Sequence, residues 1–224
     1  MKFIAALVAC LIGVATAHAQ GLSAGQYPIM ADDGGRIANF DLTPQMQATI
    51  KSLKGQVPVG NLNGDVTLLQ FYDLNCPYCR EAAADIDAIV RTDQSLKLVF
   101  VPYAVLSVQS VQGALIELGA APMLSPAQYL DFHRRLYASR GMIDGPRVLA
   151  AAKEMGLDPQ KVAASGNTEA TLDLLRTTAK VGGDAGLAAT PAYVIGGVAI
   201  VGHPGRKSLE KVIASMRQCK KVVC

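Results

Sequence analysis

The sequence lacks the features that mark several common classes of protein. It contains no block of Lys or Arg and only three histidines, and neither a low-complexity tract nor an internal repeat is visible. The formal net charge of +3 is spread along the chain, so nucleic acid is not an indicated partner. Beyond the N-terminus no apolar run approaches the roughly 18 to 20 residues that span a bilayer, so we expect a soluble mature protein.

The one long apolar run lies at the N-terminus. It extends from Phe3 to Ala17 and ends at Ala17-His18-Ala19, which has the small-x-small form of a signal-peptidase site. Because the run is shorter than a membrane span, residues 1–19 are predicted to be a cleavable signal peptide leading to the periplasm. The alternative is a lipoprotein box at Leu7-Val8-Ala9-Cys10, which would leave Cys10 lipidated after a still shorter apolar segment.

The chain has five cysteines, and their spacing is informative. Cys10 would leave with the signal peptide, and the other four form two close pairs, Cys76 with Cys79 and Cys219 with Cys224. Paired cysteines in an exported protein indicate a compartment in which disulfides persist.

The N-terminal part of the mature chain is predicted to be a mobile or loosely attached arm followed by a short helix. Residues 20–41 are rich in Gly, Asp and Ala. Thr43 as a cap, Pro44 at the first helical position and Gly55 beyond the end predict the helix. Its apolar residues form one narrow stripe: Leu42, Met46, Ile50 and Leu53. The stripe could pair with a second subunit to give a homo-oligomer, but docking on its own domain is favoured for so short a helix.

The next segment has the pattern of two strands joined by a helix. Val66–Tyr72 is a mostly apolar run of strand length that suits a central buried strand, and Leu96–Val101 is a second strand. From Pro77 onward, apolar residues recur at steps of three to four, as in a helix. Such a strand–helix–strand unit is expected to close right-handed with parallel strands.

Residues 105–187 indicate helices only, and strand signals return after them. Ser125-Pro126-Ala127-Gln128 is a capping box with a proline at the first helical position. Residues 192–201 predict a hairpin turned by Gly196-Gly197. A final amphipathic helix is predicted from Lys207 to about Met216.

The first cysteine pair, Cys76-Pro77-Tyr78-Cys79, lies where the buried strand gives way to a helix. Unpaired backbone N–H groups and the positive end of the helix dipole favour a thiolate at Cys76. Because only a thiolate attacks a disulfide, Cys76 is predicted to be the nucleophile. Cys79, one turn further along, is predicted to resolve the mixed disulfide. Pro77 and Tyr78 lie beside the sulfurs and are predicted to contact substrate.

Other uses of these residues stay open. A merely stabilising disulfide at Cys76 and Cys79 would close a loop too short to remove much chain entropy. A periplasmic copper- or zinc-binding metal-tolerance protein would need further ligands from the second cysteine pair or from the isolated His133 and His203. A redox-independent chaperone would bind its clients through the stripe on the N-terminal helix.

A second motif, Thr190-Pro191, directly precedes the predicted hairpin. With it, the order of segments over residues 66–217 resembles the DsbA-like branch of the thioredoxin superfamily. Phe71–Arg80 and Ala189–Gly197 are similar to the two signature segments of that branch. The resemblance implies an α/β, thioredoxin-like fold with an inserted helical domain, and a protein disulfide oxidoreductase or isomerase acting on exported client proteins.

The resemblance also implies a set of site residues and partners. The Thr190–Pro191 bond would be cis and lie against the sulfurs, leaving the Thr190 backbone free to pair with a substrate strand. The redox-active Cys76–Cys79 disulfide would serve without a cofactor or a metal, and a DsbB- or DsbD-like membrane redox partner would recycle it. The predicted divisions are a signal peptide (1–19), an N-terminal arm and helix (20–60), the first thioredoxin-like part (61–104), a helical insertion (105–187) and the second thioredoxin-like part with the C-terminal cysteine tail (188–224).

The direction of exchange does not follow from the dipeptide between the cysteines. Pro77-Tyr78 is similar to oxidising, reducing and isomerising relatives alike, whereas the strongly oxidising DsbA type has Pro-His. Tyrosine adds no charge beside the thiolate, and Thr190 before the proline is more similar to DsbG- and ScsC-like proteins. We therefore expect a pair less oxidising than that of DsbA.

The remaining candidates are given lesser roles. Asp73 either assists proton transfer or simply ends the strand, and the second is favoured. His203 is expected to be a loop residue and His133 a structural residue on a helix. Cys219 and Cys224 are predicted to form a structural disulfide on the C-terminal tail, because nothing like a helix start presents either sulfur.

Overall fold

The structure is a computed structural model that describes residues 25–224. The predicted signal peptide at 1–19, the alternative lipidation at Cys10 and the first residues of the predicted arm therefore lie outside the described residues. Within the described part, no helix is long and apolar enough to cross a membrane.

Six strands and eight helices make up the described chain. The strands are β1 (Ala38–Asp41), β2 (Val57–Gly60), β3 (Val66–Tyr72), β4 (Leu96–Pro102), β5 (Ala192–Ile195) and β6 (Val198–Val201). The helices are α1 (Pro44–Ser52), α2 (Pro77–Thr92), α3 (Val108–Ala120), α4 (Pro126–Ala138), α5 (Gly145–Glu154), α6 (Pro159–Gly166), α7 (Glu169–Asp184) and α8 (Arg206–Cys219), with a 3-10 turn at Ala121–Met123.

All six strands form one mixed sheet with the order β1-β6-β5-β3-β4-β2. The pair β3–β4 is parallel, as the strand–helix–strand pattern predicts, and the other neighbours are antiparallel. The predicted strand at β3, the Gly196-Gly197 hairpin and the helix-only stretch before it are confirmed. The sheet places β3 between β4 and β5, so the end of β3 meets the start of β5.

Two short strands are not predicted by the sequence patterns, and both lie at the edges of the sheet. β1 and β2 have four residues each, too few for a period to be read. β2 contains Pro58, which lowers any strand prediction and is tolerated because an edge strand has one unpaired side.

The sheet is covered on both faces. One apolar cluster joins β3 and β4 to α2, α8 and the helical insertion, and includes Leu68, Ile86 and Val212. The other joins the opposite face to α1 and α7 and includes Ile50 and Val181. The α/β layering thus buries β3 on both sides, which is why its sequence is apolar almost throughout.

The expectation of a loosely attached arm is wrong for residues 25–41. β1 pairs with β6, and the Asp32 carboxylate accepts hydrogen bonds from the backbone N–H groups of Lys207 and Ser208 at 3.0 and 2.9 Å. Gly205 precedes α8 and has no side chain with which to cap it, so Asp32 caps this helix from the arm. Composition could not predict the attachment, because it depends on partners more than 150 residues further along the chain.

The stripe on α1 is used within the chain. Leu42 and Ile50 are buried against the sheet, and Met46 and Leu53 are partly buried on the same cluster. The favoured docking on its own domain is therefore confirmed. The same packing removes the exposed stripe on which both the homo-oligomer and the chaperone hypotheses depended.

His133 lies inside the helical insertion, where it is buried and bonded through Nδ1 to Glu117 Oε1 at 2.8 Å. The hydroxyl of Tyr72, at the end of β3, donates to the other oxygen of Glu117 at 2.7 Å. This buried polar network joins the insertion to the sheet, so the structural role predicted for His133 is supported.

Candidate active site

Cys76 occupies the N-cap of α2, immediately after the loop that ends β3. Its sulfur accepts a hydrogen bond from the backbone N–H of Cys79 at 3.4 Å, and Pro77 fills the first helical position. Cys76 is 4% exposed and Cys79 is fully buried, and both are free thiols. The sequence prediction of one sulfur at the helix start and a second one turn inward is confirmed.

The Thr190–Pro191 peptide bond is cis and lies against the first sulfur, as the resemblance implies. The Cys76 sulfur lies 3.1 Å from the Thr190 carbonyl oxygen, although the two residues are 114 positions apart. The contact arises because β5, which starts after Pro191, pairs directly with β3. Sheet pairing thus brings the two sequence motifs into one site.

The surroundings favour ionisation of the first cysteine. The Cys79 thiol, donating to the Cys76 sulfur, is the largest cause. The Thr190 side chain and the backbone N–H groups of Cys79 and Tyr78 add to it against the opposing effect of burial. Together they lower the pKa of Cys76 from 9.0 to about 6. At neutral pH Cys76 is therefore mainly a thiolate, the form that attacks disulfides.

The second cysteine is held in the opposite state. Burial, and then the hydrogen bond to Cys76, raise the pKa of the Cys79 thiol far above its ordinary value. Cys79 therefore keeps its proton until Cys76 has bonded to a partner. This division between an ionised outer sulfur and a protonated inner sulfur suits a nucleophile and a resolving group.

Exposed apolar side chains lie on the segments next to the residues that precede Cys76. Tyr78, between the cysteines, is 64% exposed. Val105, Leu106 and Val108 follow β4 and are also exposed, as is Met142. Met142 is brought to this side by its neighbour Ile143, whose backbone bonds the Asn75 side chain at 2.7 and 3.0 Å. Exposed large hydrophobic residues gathered at one place typically mark a binding surface for a macromolecule.

Asp73 is neither a simple strand end nor a free base. One carboxylate oxygen accepts from the backbone of Asn75 and the hydroxyl of Ser110 at 2.8 and 2.6 Å. The other accepts from the backbone N–H groups of Val105 and Leu106 at 2.9 and 3.0 Å. Because these four donors occupy the carboxylate's acceptor positions, the proton-transfer role loses support. Asp73 therefore links the turn before Cys76 to the loop after β4.

Sequence reasoning missed a hydrogen-bonded chain behind the site. His203 is bonded to the buried Tyr193 hydroxyl at 2.8 Å and to Asp85 on α2 at 2.9 Å. Gly202, its neighbour, donates to the Pro191 carbonyl at 2.9 Å, so this loop supports the cis-proline turn. Spacing does not reveal the chain, because Asp85 lies 118 positions before His203 in the sequence.

The second cysteine pair differs from the first in its chemistry as well as in its position in the sequence. Cys219 and Cys224 are joined in a disulfide between the end of α8 and the C-terminal tail. Val222 between them is buried in the larger apolar cluster. The predicted clip therefore agrees with the structure. Sulfurs bonded to each other also cannot complete a metal site with Cys76, and the described residues contain no group of three or more His, Cys, Asp or Glu that could hold a metal.

Comparisons with known proteins identify relatives with the same fold. The family model described as Thioredoxin matches residues 52–215. A thioredoxin-like oxidoreductase from Silicibacter pomeroyi DSS-3 is 25% identical with a TM-score of 0.70, covering 77% of this chain and 98% of that chain. The thiol-disulfide exchange protein alpha-DsbA2 from Wolbachia pipientis is 24% identical with a TM-score of 0.69, covering 77% and 92%.

The catalytic domain of Proteus mirabilis ScsC is similar too, at 20% identity and a TM-score of 0.67, covering 76% of this chain and 94% of that chain. A comparison with curated proteins found no match. The thioredoxin-like fold expected from the two sequence motifs is confirmed by these similarities.

Proposed function

The chain belongs to the thioredoxin family of thiol–disulfide oxidoreductases, and from that premise we propose that it exchanges disulfides with exported proteins in the periplasm through Cys76 and Cys79. One observation carries the proposal. A thiolate-favouring sulfur at the N-terminus of α2 faces the Thr190 carbonyl of the cis-proline turn at 3.1 Å, with a protonated second sulfur behind it. A client disulfide that approaches this site contacts the nucleophilic sulfur of Cys76, the backbone of Thr190 and the resolving thiol of Cys79.

The reaction needs no group beyond the two cysteines. The Cys76 thiolate attacks one sulfur of a client disulfide, so a Cys76–client bond forms and the second client sulfur leaves as a thiolate. Cys79 then gives its proton to that departing thiolate and attacks the Cys76 sulfur, which releases the first client sulfur. Two electrons pass to the client and a Cys76–Cys79 disulfide remains. The reverse sequence oxidises a client dithiol, and renewed attack within the client isomerises it.

The pKa of Cys76 supports an intermediate redox poise. A value of about 6 lies between the roughly 7 of thioredoxin and the roughly 3.5 of DsbA. A more stable thiolate makes the reduced form more stable and the disulfide more oxidising. We therefore expect a reduction potential between about −270 mV and about −120 mV, less oxidising than DsbA.

The exposed apolar side chains around Cys76 support protein clients rather than small thiols. Tyr78, Leu106 and Val108 offer large apolar contacts that a small disulfide such as glutathione cannot use. Unfolded exported proteins expose both cysteines and apolar segments. A membrane redox partner of DsbB or DsbD type would recycle the pair after each turnover.

Trapping the intermediate tests the proposal directly. With Cys79→Ala, the resolving step is removed, so mixing with scrambled ribonuclease should build up a reducible adduct of the two proteins on non-reducing gels. The matched control Cys76→Ala lacks the nucleophile and should give no adduct. Absence of the adduct with the first variant would overturn the function.

Two further measurements separate the finer parts of the proposal. Equilibration with glutathione should give a potential within the stated interval, and a value near about −120 mV would contradict the predicted poise. Fractionation with mass spectrometry of the mature protein should find it in the periplasm beginning at Gln20. An intact leader in the cytoplasmic fraction would contradict the location.

A further inference from the structure

A cavity of about 490 Å³ lies on the face of the sheet that α1 covers. Its lining includes Thr67 at the start of β3, whereas Cys76 follows the end of the same strand. Because a strand rises about 3.3 Å per residue, the length of β3 separates the cavity from the reacting sulfur. The volume lies within the range of about 300 to 1,000 Å³ that is typical of small-molecule sites.

The floor of the cavity is apolar. Leu69 on β3 lies directly between Val99 on β4 and Val194 on β5 in the register of the sheet, and all three side chains line the cavity. Ile50 of α1 adds a further apolar side chain to the lining. An apolar segment of a ligand would therefore lose contact with water by lying across the three strands.

Two lysines complete the lining and give it a positive charge. Lys51 is exposed on the last turn of α1, and Lys97 is half-buried on β4, opposite Thr67 in the register. Within residues 25–224 neither lysine forms an ion pair, and no acidic residue lines the cavity. Two ammonium groups without a carboxylate favour an anionic group at this place.

The walls are held in place by hydrogen bonds of the protein itself. The Leu42 backbone N–H donates to the Gly197 carbonyl, and the Gln47 side chain donates to the Leu42 carbonyl, both at 2.8 Å. The Gln56 side chain donates to the Ile50 carbonyl at 2.6 Å. A preformed cavity needs little ordering when a ligand binds, which favours its use as a binding site.

The combination of an apolar floor and two lysines selects an amphiphile. We propose that the cavity binds a small amphiphilic anion, a carboxylate with an unbranched apolar chain. The carboxylate lies at Lys51 and Lys97, and the chain lies along the floor. A neutral amphiphile would gain only the burial of its chain, and a short polar anion would gain only the contacts with the lysines. Binding there does not depend on disulfide exchange at Cys76.

Isothermal titration calorimetry with decanoate, kept below its micelle concentration, tests the site. Decanol has the same chain with a neutral head group, and hexanoate has the same head group with a shorter chain. We expect one decanoate per chain, bound about tenfold more tightly than decanol because of the charge-assisted contacts. Hexanoate should bind at least about tenfold more weakly than decanoate, since its chain buries fewer methylene groups.

Replacing the two lysines should remove the preference for the anion. The double variant Lys51→Met/Lys97→Met keeps the apolar stems and loses both charges, so it should bind decanoate no more tightly than decanol. The matched control Lys153→Met/Lys161→Met changes two exposed lysines of α5 and α6 outside the lining and should bind as the wild type does. Circular dichroism establishes that each variant is folded.

Two single variants locate the ligand. Thr67→Phe places a ring at the exposed start of β3, inside the lining, and should abolish decanoate binding. Leu106→Ser removes an exposed apolar side chain from the loop after β4, outside the lining, and should leave decanoate binding unchanged. Loss of binding with Leu106→Ser and not with Thr67→Phe would place the ligand near the active site and overturn the proposal.

Three other results would also overturn the proposal. They are equal affinities of the wild-type protein for decanoate and decanol, unchanged decanoate binding in the double lysine variant, and the absence of saturable decanoate binding below about 1 mM. Disulfide exchange is measured separately with insulin, so each of these results leaves the proposed function intact.

Discussion

The two cysteine pairs occupy opposite ends of helices, and their chemistry differs accordingly. Cys76 begins α2, where N–H groups point at its sulfur, and it remains a free thiol of lowered pKa. Cys219 ends α8, where carbonyl oxygens and the negative end of the helix dipole disfavour a thiolate. Its sulfur lies 3.4 Å from the Ser215 carbonyl oxygen and is bonded to Cys224. Short spacing in sequence brings the two sulfurs of each pair together. Whether the sulfurs are reactive or form a structural disulfide depends on which end of a helix they occupy.

Removing one sulfur of the first pair, or both sulfurs of the second, should give the largest contrast. Cys76→Ala should reduce disulfide exchange with insulin to the rate without protein, because no other described sulfur is held as a thiolate. The double variant Cys219→Ser/Cys224→Ser should keep the wild-type rate in the same turbidity assay. Activity that survives the first change or disappears with the second would reverse the assignment.

The Asp73 carboxylate, close to the first cysteine pair, should contribute strongly to the stability of the folded chain. The second pair has no such carboxylate. Asp73→Ala leaves four donors without their acceptor and should lower the free energy of unfolding by about 3 kcal/mol. Ser110→Ala removes only one of these donors and should cost about 1 kcal/mol. Urea unfolding of the reduced proteins measures both. Equal losses in the free energy of unfolding for the two variants would contradict the role of Asp73 as the link between the turn before Cys76 and the loop after β4.

Ionisation of Cys76 can be followed with iodoacetamide across a pH range. The alkylation rate should be half-maximal at about pH 6 and fall below it as the thiolate is protonated. Because the Cys79 thiol is the largest cause of the lowered pKa, Cys79→Ala should move the midpoint upward by about one pH unit or more.

Cys79→Ser provides the matched control for that shift. Its hydroxyl can still donate to Cys76, so its midpoint should stay nearer to that of the wild type. If the wild-type protein gave a midpoint near the pKa of free cysteine, roughly 8.5, the proposed difference between the two pairs would be refuted.

An effect smaller than that of Asp73→Ala is expected from the clip itself. Cys219→Ser/Cys224→Ser opens a short loop and should lower the free energy of unfolding by about 2 kcal/mol in the chain-entropy description. Val222 is buried between the two cysteines, so Val222→Ala should cost a similar amount in thermal unfolding. No loss of stability in the double variant would show that the tail packs without the disulfide.

The comparison also shows how far local pattern reaches. Thr43, Ser125 and the Pro77 start of α2 were predicted from capping residues and prolines, since a helix start depends on its own few residues. β1 and β2 could not be predicted, because short edge strands owe their structure to the neighbours they pair with. The cap that Asp32 gives α8 and the chain through His203 were hidden for the same reason.

By itself the sequence determined that a buried strand runs into a helix at Cys76, and that a proline turn precedes a hairpin much later in the chain. Those properties follow from side-chain period, capping and the missing N–H of proline, which act over a few residues. Only the tertiary structure decided that Thr190 meets the sulfur at 3.1 Å and that Asp73 engages the loop after β4. Contacts between distant segments depend on which strands pair, here β3 with β5, and a pattern of a few residues does not specify the partner strand.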